Sequence, residues 1–153
     1  MASEMTVRAN YVTGMQFDVE SNSGYHVTLD SVIEGEKPIF SPMEMLLVGL
    51  AGCMGISVIS ILQKKRQDVT AYQLRVHGVR AIEHPKVFVE IEIEHIVTGH
   101  HVQPEAVARS IELGETRYCG ASAMLGKTAK ITNTFQIIEA GAPQIDSSEH
   151  LLP

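Results

Sequence analysis

From Met45 to Leu62 the chain runs through 18 residues without an Asp, Glu, Lys or Arg. No other stretch restricts the fold so strongly. That length just reaches what a membrane-spanning helix needs, so a membrane-anchored protein is one reading. Gly49, Gly52, Gly55, Ser57 and Ser60 dilute the hydrophobicity, however, and a helix apolar on all sides also suits the centre of a globular core. The ends favour a helix with well-marked limits. Ser41 is placed to cap it, Pro42 suits its first position, and Glu44 completes a capping box with Ser41. Lys64, Lys65 and Arg66 meet the negative end of its dipole. About 24 residues at about 1.5 Å each give a rod of about 36 Å. Glycines at 49, 52 and 55 share one side, where another backbone can come close.

The flanking segments alternate with period two, as half-buried strands do. Met5, Val7, Ala9 and Tyr11 form one such set, Met15, Phe17 and Val19 a second, and Tyr25, Val27 and Leu29 a third. Together they predict an antiparallel meander with one wet face, followed by a loop over residues 31–40 with Gly35 and Pro38. After the helix, Tyr72, Leu74 and Val76 alternate, and the phase changes to Val79 and Ala81 beyond Gly78, which predicts a bulge there. His84-Pro85 marks a turn. Val87, Val89, Ile91 and Ile93 then alternate with Phe88, Glu90, Glu92 and Glu94. Pro104 opens a second helix running to about Leu113. A short third helix begins near Tyr118-Cys119 and reaches Leu125, and a last strand covers about Lys130 to Ile138. The reading is one α+β domain over residues 1–140, with antiparallel sheets around the long helix, and a loose tail over 141–153.

Charge and cysteine usage narrow the function. Twelve basic against 18 acidic residues leave a net charge of −6, which lacks the basic footprint of a nucleic-acid binder and is repelled by anionic membranes. The N-terminal residues are polar and show no signal peptide, so a soluble cytoplasmic protein is expected. Glu90, Glu92 and Glu94 read as a solvated strand face, and His95, on the opposite face, as a satisfied core histidine. His100 and His101 are neighbours in a turn and point apart. No metal site and no cofactor motif emerges. Met43, Met45 and Met54 suit an irregular core or an interface between subunits.

Two cysteines remain. Cys53 lies three turns into the helix and Cys119 follows 66 positions later. The spacing excludes a CxxC redox pair and a paired-thiolate zinc knuckle. Each thiol alone reads equally as a small buried hydrophobe. On local grounds Cys119 is the more reactive, because a helix N-terminus lowers a thiol pKa.

The residues around them carry a resemblance. Ser41-Pro42-Met43-Glu44-Met45-Leu46-Leu47, Leu50-Ala51-Gly52-Cys53 and Ser60-Ile61-Leu62 resemble the first cysteine helix of the OsmC/Ohr family of organic hydroperoxide resistance proteins. His84-Pro85-Lys86-Val87-Phe88 and Tyr118-Cys119-Gly120-Ala121-Ser122 are similar to its later strand and second cysteine segment. The likeness covers about residues 5–139, and the Ser-Pro-Met-Glu-Met opening resembles the OsmC-like subgroup.

The resemblance implies an intertwined homodimer acting as a thiol peroxidase on organic hydroperoxides in oxidative-stress defence. Cys53 would be the peroxidatic thiol, Cys119 the resolving one, and an external dithiol the reductant, with no bound cofactor. It also implies an N-terminal arginine and a glutamate one place after the helix proline. Here that place is Met43, and Glu44 follows one residue later, about 100° around the helix. Glu44 is thus a candidate for the capping box and for the catalytic carboxylate. Arg8 is the N-terminal arginine available, and on the polar face of its strand it reads first as a solvated residue and second as a thiolate partner. Arg117, two residues before Cys119, is a second candidate cation and equally a surface charge. A catalytically weak dimer binding a small apolar or electrophilic ligand is the alternative reading.

Overall fold

Ser41, Pro42 and Glu44 start the long helix by the chemistry expected of them. In a computed structural model that describes residues 2–31 and 39–141, the Ser41 backbone N–H donates to Glu44 Oε2 at 2.8 Å, and the Glu44 N–H donates to Ser41 Oγ at 3.2 Å. The box is closed in both directions. The helix, α1, spans Pro42–Lys64, 23 residues and about 34 Å. It ends where Arg66 turns left-handed at φ 56° and the Gln67 N–H reaches back to the Leu62 carbonyl at 3.0 Å, a helix stop of the kind glycine usually supplies.

Contacts divide the chain into two compact units, Met1–Gly49 and Leu50–Pro153, with the boundary inside α1. The first unit holds β1 (Val7–Thr13), β2 (Gln16–Ser21) and β3 (His26–Leu29), an antiparallel sheet in the order β1-β2-β3. Its register sets Arg8 opposite Glu20 and Tyr11 opposite Phe17, whose rings meet edge to face at 5.7 Å. The expected single wet face is not found on β1, which is exposed along its whole length. Its alternating apolar residues, Val7 and Tyr11 among them, are exposed among the described residues. Most of the loop expected over 31–40 lies outside the described residues.

The second unit holds β4 (Asp68–Arg80), β5 (Phe88–His100), α2 (Pro104–Leu113), a π-helical turn (Gly114–Tyr118), α3 (Gly120–Leu125) and β6 (Lys130–Glu139). The tail expected over 141–153 lies outside the described residues beyond Gly141. β4 and β5 pair antiparallel, but β5 and β6 pair in parallel. This sheet is therefore mixed, and the expectation of antiparallel sheets is corrected here. The physical reason is the long helical crossover between β5 and β6, which returns the chain to run in the same direction. The break in β4 also falls later than Gly78. Val79 pairs with Glu90 and Arg80 with Phe88, so Val89 is the extra residue of a bulge on β5. Phe88 turns inward and Val89 outward as a result.

Ile91, Ile93, His95 and Val97 are fully buried on one face of β5, and Leu50, Met54, Val58 and Leu62 form a fully buried stripe along α1. These four are spaced i, i+4, i+8 and i+12, a single ridge of the helix. The other apolar sides of α1 are not enclosed: Ile56 is 72% exposed, and Leu46 and Val48 are also exposed. By length and composition α1 can also cross a membrane. Of its three glycines only Gly55 meets a close neighbour among the described residues, the Leu74 side chain.

Gly99 marks the tightest approach in the second unit. A Cβ there would stand 2.1 Å from the Asp68 carbonyl oxygen and 2.7 Å from Val102 Cγ2. Backbone cannot retreat as a flexible side chain can, so Gly99→Ala is expected to lower the unfolding free energy by about 3 kcal/mol or more in denaturant titrations. A change below about 1 kcal/mol would contradict this strand packing.

Candidate functional site

The second unit brings the two thiols together. Cys53 is carried by α1, beside the buried Met54. Cys119 arrives by a less direct route. Pro104 begins α2, whose Val107, Ser110 and Ile111 are buried. The chain then continues helically through Gly114 and widens into the π-helical turn, closed by the Cys119 N–H on the Gly114 carbonyl at 2.8 Å. Gly114 is the contact point with α1. A Cβ on it would lie 3.3 Å from Met54 Sδ and 3.4 Å from Val58 Cγ2, so the absence of a side chain lets the turn seat on the helix next to Cys53. Cys119 leaves the turn in an extended conformation and caps α3, its Sγ accepting the Ser122 N–H at 3.3 Å. Single π turns inserted between helices often occur at functional sites, and this one determines where Cys119 emerges.

Both cysteines are free thiols, Cys119 buried and Cys53 half-buried. Burial, above all, pushes the Cys119 thiol up from its ordinary value near 9 to about 11. The nearby Cys53 side chain pushes in the same direction, while the Ser122 and Ala121 backbone N–H groups pull down. This corrects the expectation that the helix N-terminus makes Cys119 the more acidic thiol. α3 has only six residues, and the cost of placing a charge in an apolar site outweighs its N–H groups. Cys119 therefore keeps its proton at neutral pH.

The other candidates have contacts of their own. Arg8 is paired with Glu20 at 3.2 Å across β1 and β2, with 73% of its side chain exposed. Glu44 is engaged in the capping box. Arg117 lies over the ring of Tyr118 at 5.6 Å. Glu94 pairs with Arg75 at 3.3 Å on the open face of the second sheet. No group of three metal-ligating side chains occurs among the described residues.

His95 is the satisfied core histidine expected, but the polar residues that satisfy it escaped the sequence reading. His95, fully buried, has both ring nitrogens bonded, Nδ1 to the Tyr72 hydroxyl at 2.5 Å and Nε2 to Asn133 Oδ1 at 2.8 Å. Asn133 Nδ2 in turn donates to Glu115 Oε2 at 3.0 Å, inside the π-helical turn. Burial lowers the His95 pKa and raises that of Tyr72, so both are neutral. A signal was present in the sequence: Asn133 shares the inward phase of β6 with Ile131 and Phe135, a polar residue in an apolar series.

Beside the thiols a cleft of about 380 Å³ is walled by Ile56, Ser57, Ser60 and Ile61 of α1, with Leu113 and Tyr118 opposite and Lys64 at one end. Its walls begin one turn beyond Cys53 and one residue before Cys119.

A mixed α+β fold with one thiol in a long apolar helix and a second at the cap that follows a π turn defines a two-cysteine protein of the OsmC type. The chain belongs to the OsmC-like protein family, whose model matches residues 34–134. It is 38% identical to Protein YhfA of Escherichia coli K12 over 136 residues, 89% of this chain and all of that one. Among solved structures it is similar to a hypothetical protein from Aquifex aeolicus, with a TM-score of 0.81 and 26% identity, covering 90% of this chain and 98% of that one. An organic hydroperoxide resistance protein OsmC from Legionella pneumophila shares the fold, with a TM-score of 0.65 at 12% identity over 89% of this chain and 98% of that one.

The raised thiol has a consequence for stability. The folded state binds the Cys119 proton more tightly than the unfolded chain does, so stability is fully present below about pH 9 and falls as pH rises toward about 11. Denaturant midpoints across this window are expected to fall less steeply for Cys119→Ser than for the parent. Equal slopes would rule out Cys119 as the titrating group.

Proposed function

We propose that this protein is a cytoplasmic, homodimeric, thiol-dependent peroxidase that reduces organic hydroperoxides in oxidative-stress defence. The observation that carries the reading is the proximity of the Cys53 side chain to Cys119, whose π turn seats on α1 beside Cys53 and whose thiol burial keeps protonated. The Cys53 sulfur attacks the terminal oxygen of ROOH. The O–O bond breaks, the alkoxide takes a proton and leaves as ROH, and Cys53 becomes a sulfenic acid. The Cys119 sulfur then attacks that sulfenic sulfur, the S–O bond breaks, and water leaves as the disulfide forms. An external dithiol returns both residues to thiols and is itself oxidised. The nearby Cys53 side chain helps to raise Cys119, and conversion of Cys53 to an uncharged sulfenic acid removes its charge. The resolving thiol becomes easier to ionise when it is needed.

Arg8, Glu44 and Arg117 are the candidate activating groups. The dimer is supported by the uncovered apolar surface of Ile56, Val48 and Leu46 on α1 and by the fully exposed β1, surface that a second copy would bury. The apolar lining of the 380 Å³ cleft also favours a second reading, a binding protein for a small apolar or electrophilic ligand with little turnover.

Cumene hydroperoxide consumption with a dithiol separates the two. Cys53→Ser is expected to reduce turnover to the free-thiol background. Cys119→Ser should consume one equivalent and accumulate sulfenic acid, trapped by dimedone. Parent activity no greater than free dithiol would reject the enzyme in favour of the ligand-binding reading. For the dimer, light scattering is expected to give twice the 16.7 kDa chain mass, and a monomer at micromolar concentration would rule it out.

A further inference from the structure

We propose that Tyr72, His95, Asn133 and Glu115 form a positioning chain that holds the π-helical turn, and with it the Cys119 sulfur, in place against Cys53. The idea rests on the two-thiol reading of the site but on a separate set of contacts. The four residues come from four segments, β4, β5, β6 and the turn itself, and their bonds run without a break across the second sheet. The direction of each bond is determined by its partners. Asn133 Oδ1 only accepts, so His95 Nε2 carries the ring proton; the bare Nδ1 then accepts from the Tyr72 hydroxyl. Asn133 Nδ2 donates to the Glu115 carboxylate. Every donor points toward Glu115, and bonds aligned head to tail strengthen one another at low dielectric. The Tyr72 and His95 rings also stack with an interplanar angle of 13°, which limits rotation of the imidazole.

Its location is informative. Ile91, Ile93 and Val97 flank His95 on an otherwise apolar face, all fully buried, so a polar side chain here is costly unless bonded at both ends. The far end of the chain is Glu115, four residues before Cys119 and one after Gly114, the residue seated on Met54 and Val58. A π turn has poorer intrinsic hydrogen bonding than an α-helix and can relax into one, which would rotate Cys119 away from its present direction. The Asn133–Glu115 bond ties the turn to the neighbouring strand and opposes that relaxation. Asn133 and Glu115 are therefore positioning residues that touch no reacting atom.

The test reads the thiol pair directly, without peroxide. The full-length protein is equilibrated in glutathione redox buffers, and the ratio of Cys53–Cys119 disulfide to dithiol gives an effective concentration of one thiol at the other. Glu115→Ala and Asn133→Leu are each expected to lower it about tenfold, the effect of losing one charge-assisted hydrogen bond. Glu115→Gln keeps an acceptor for Asn133 Nδ2 and is expected to restore it to within about twofold. Circular dichroism and the denaturation midpoint check that each variant is folded. Should a variant fail to fold, Asn133→Asp, which sets a second carboxylate against Glu115, provides the same measurement. Unchanged effective concentrations in folded variants, or a Glu115→Gln value as low as that of Glu115→Ala, would overturn the proposal. A parent that forms the disulfide in glutathione but does not turn over hydroperoxide would remove the peroxidase reading and leave the positioning chain standing.

Discussion

The seating of Gly114 on Met54 and Val58 is the contact on which the site of the second unit depends. A Cβ on Gly114 would stand 3.3 Å from Met54 Sδ and 3.4 Å from Val58 Cγ2, tighter than ordinary contact, so a larger residue would have to push those side chains aside. From it follow the proximity of Cys119 to Cys53, the burial that keeps Cys119 protonated, and the wall that Leu113 and Tyr118 add to the adjacent cleft. The hydrophobic effect supplies the drive, through the buried ridge of Leu50, Met54, Val58 and Leu62 on α1. Close approach at one glycine supplies the geometry.

The electrostatics of the pair follow from the same packing. A thiol at a helix cap in water would be acidified by the N–H groups around it. Here the Ser122 and Ala121 N–H groups do lower Cys119, yet enclosure by apolar side chains reverses the outcome. Enclosure in the fold, more than the local sequence around it, keeps the Cys119 proton in place.

Much of this was legible in the residues. The capping box at Ser41 and Glu44, the start of α2 at Pro104 and the last strand near Lys130 are local signals, and local chemistry produced them in the fold. The order of elements and the two cysteine segments were readable as a family pattern. What escaped was non-local. Nothing in the Tyr118-Cys119 neighbourhood reveals that burial overrides the helix cap, because burial is contributed by α1. The parallel pairing of β5 and β6 depends on where the crossover returns, which period-two alternation does not encode. The inward phase of Val89 failed because one bulge residue moves every neighbour to the other face. Asn133 was visible as a polar residue among apolar ones, but its partners lie on three other segments.

The parallel pairing has a consequence for how the molecule is made. An antiparallel hairpin such as β4–β5 closes from a short turn, whereas β6 joins β5 only after the whole crossover from α2 through α3 has been synthesised and folded back. The separation of 66 positions between Cys53 and Cys119 makes their meeting a high-contact-order event. A nascent chain that has emerged only as far as α1 carries Cys53 without Cys119, and the two thiols come near one another only once the π turn has been made and has folded back onto α1.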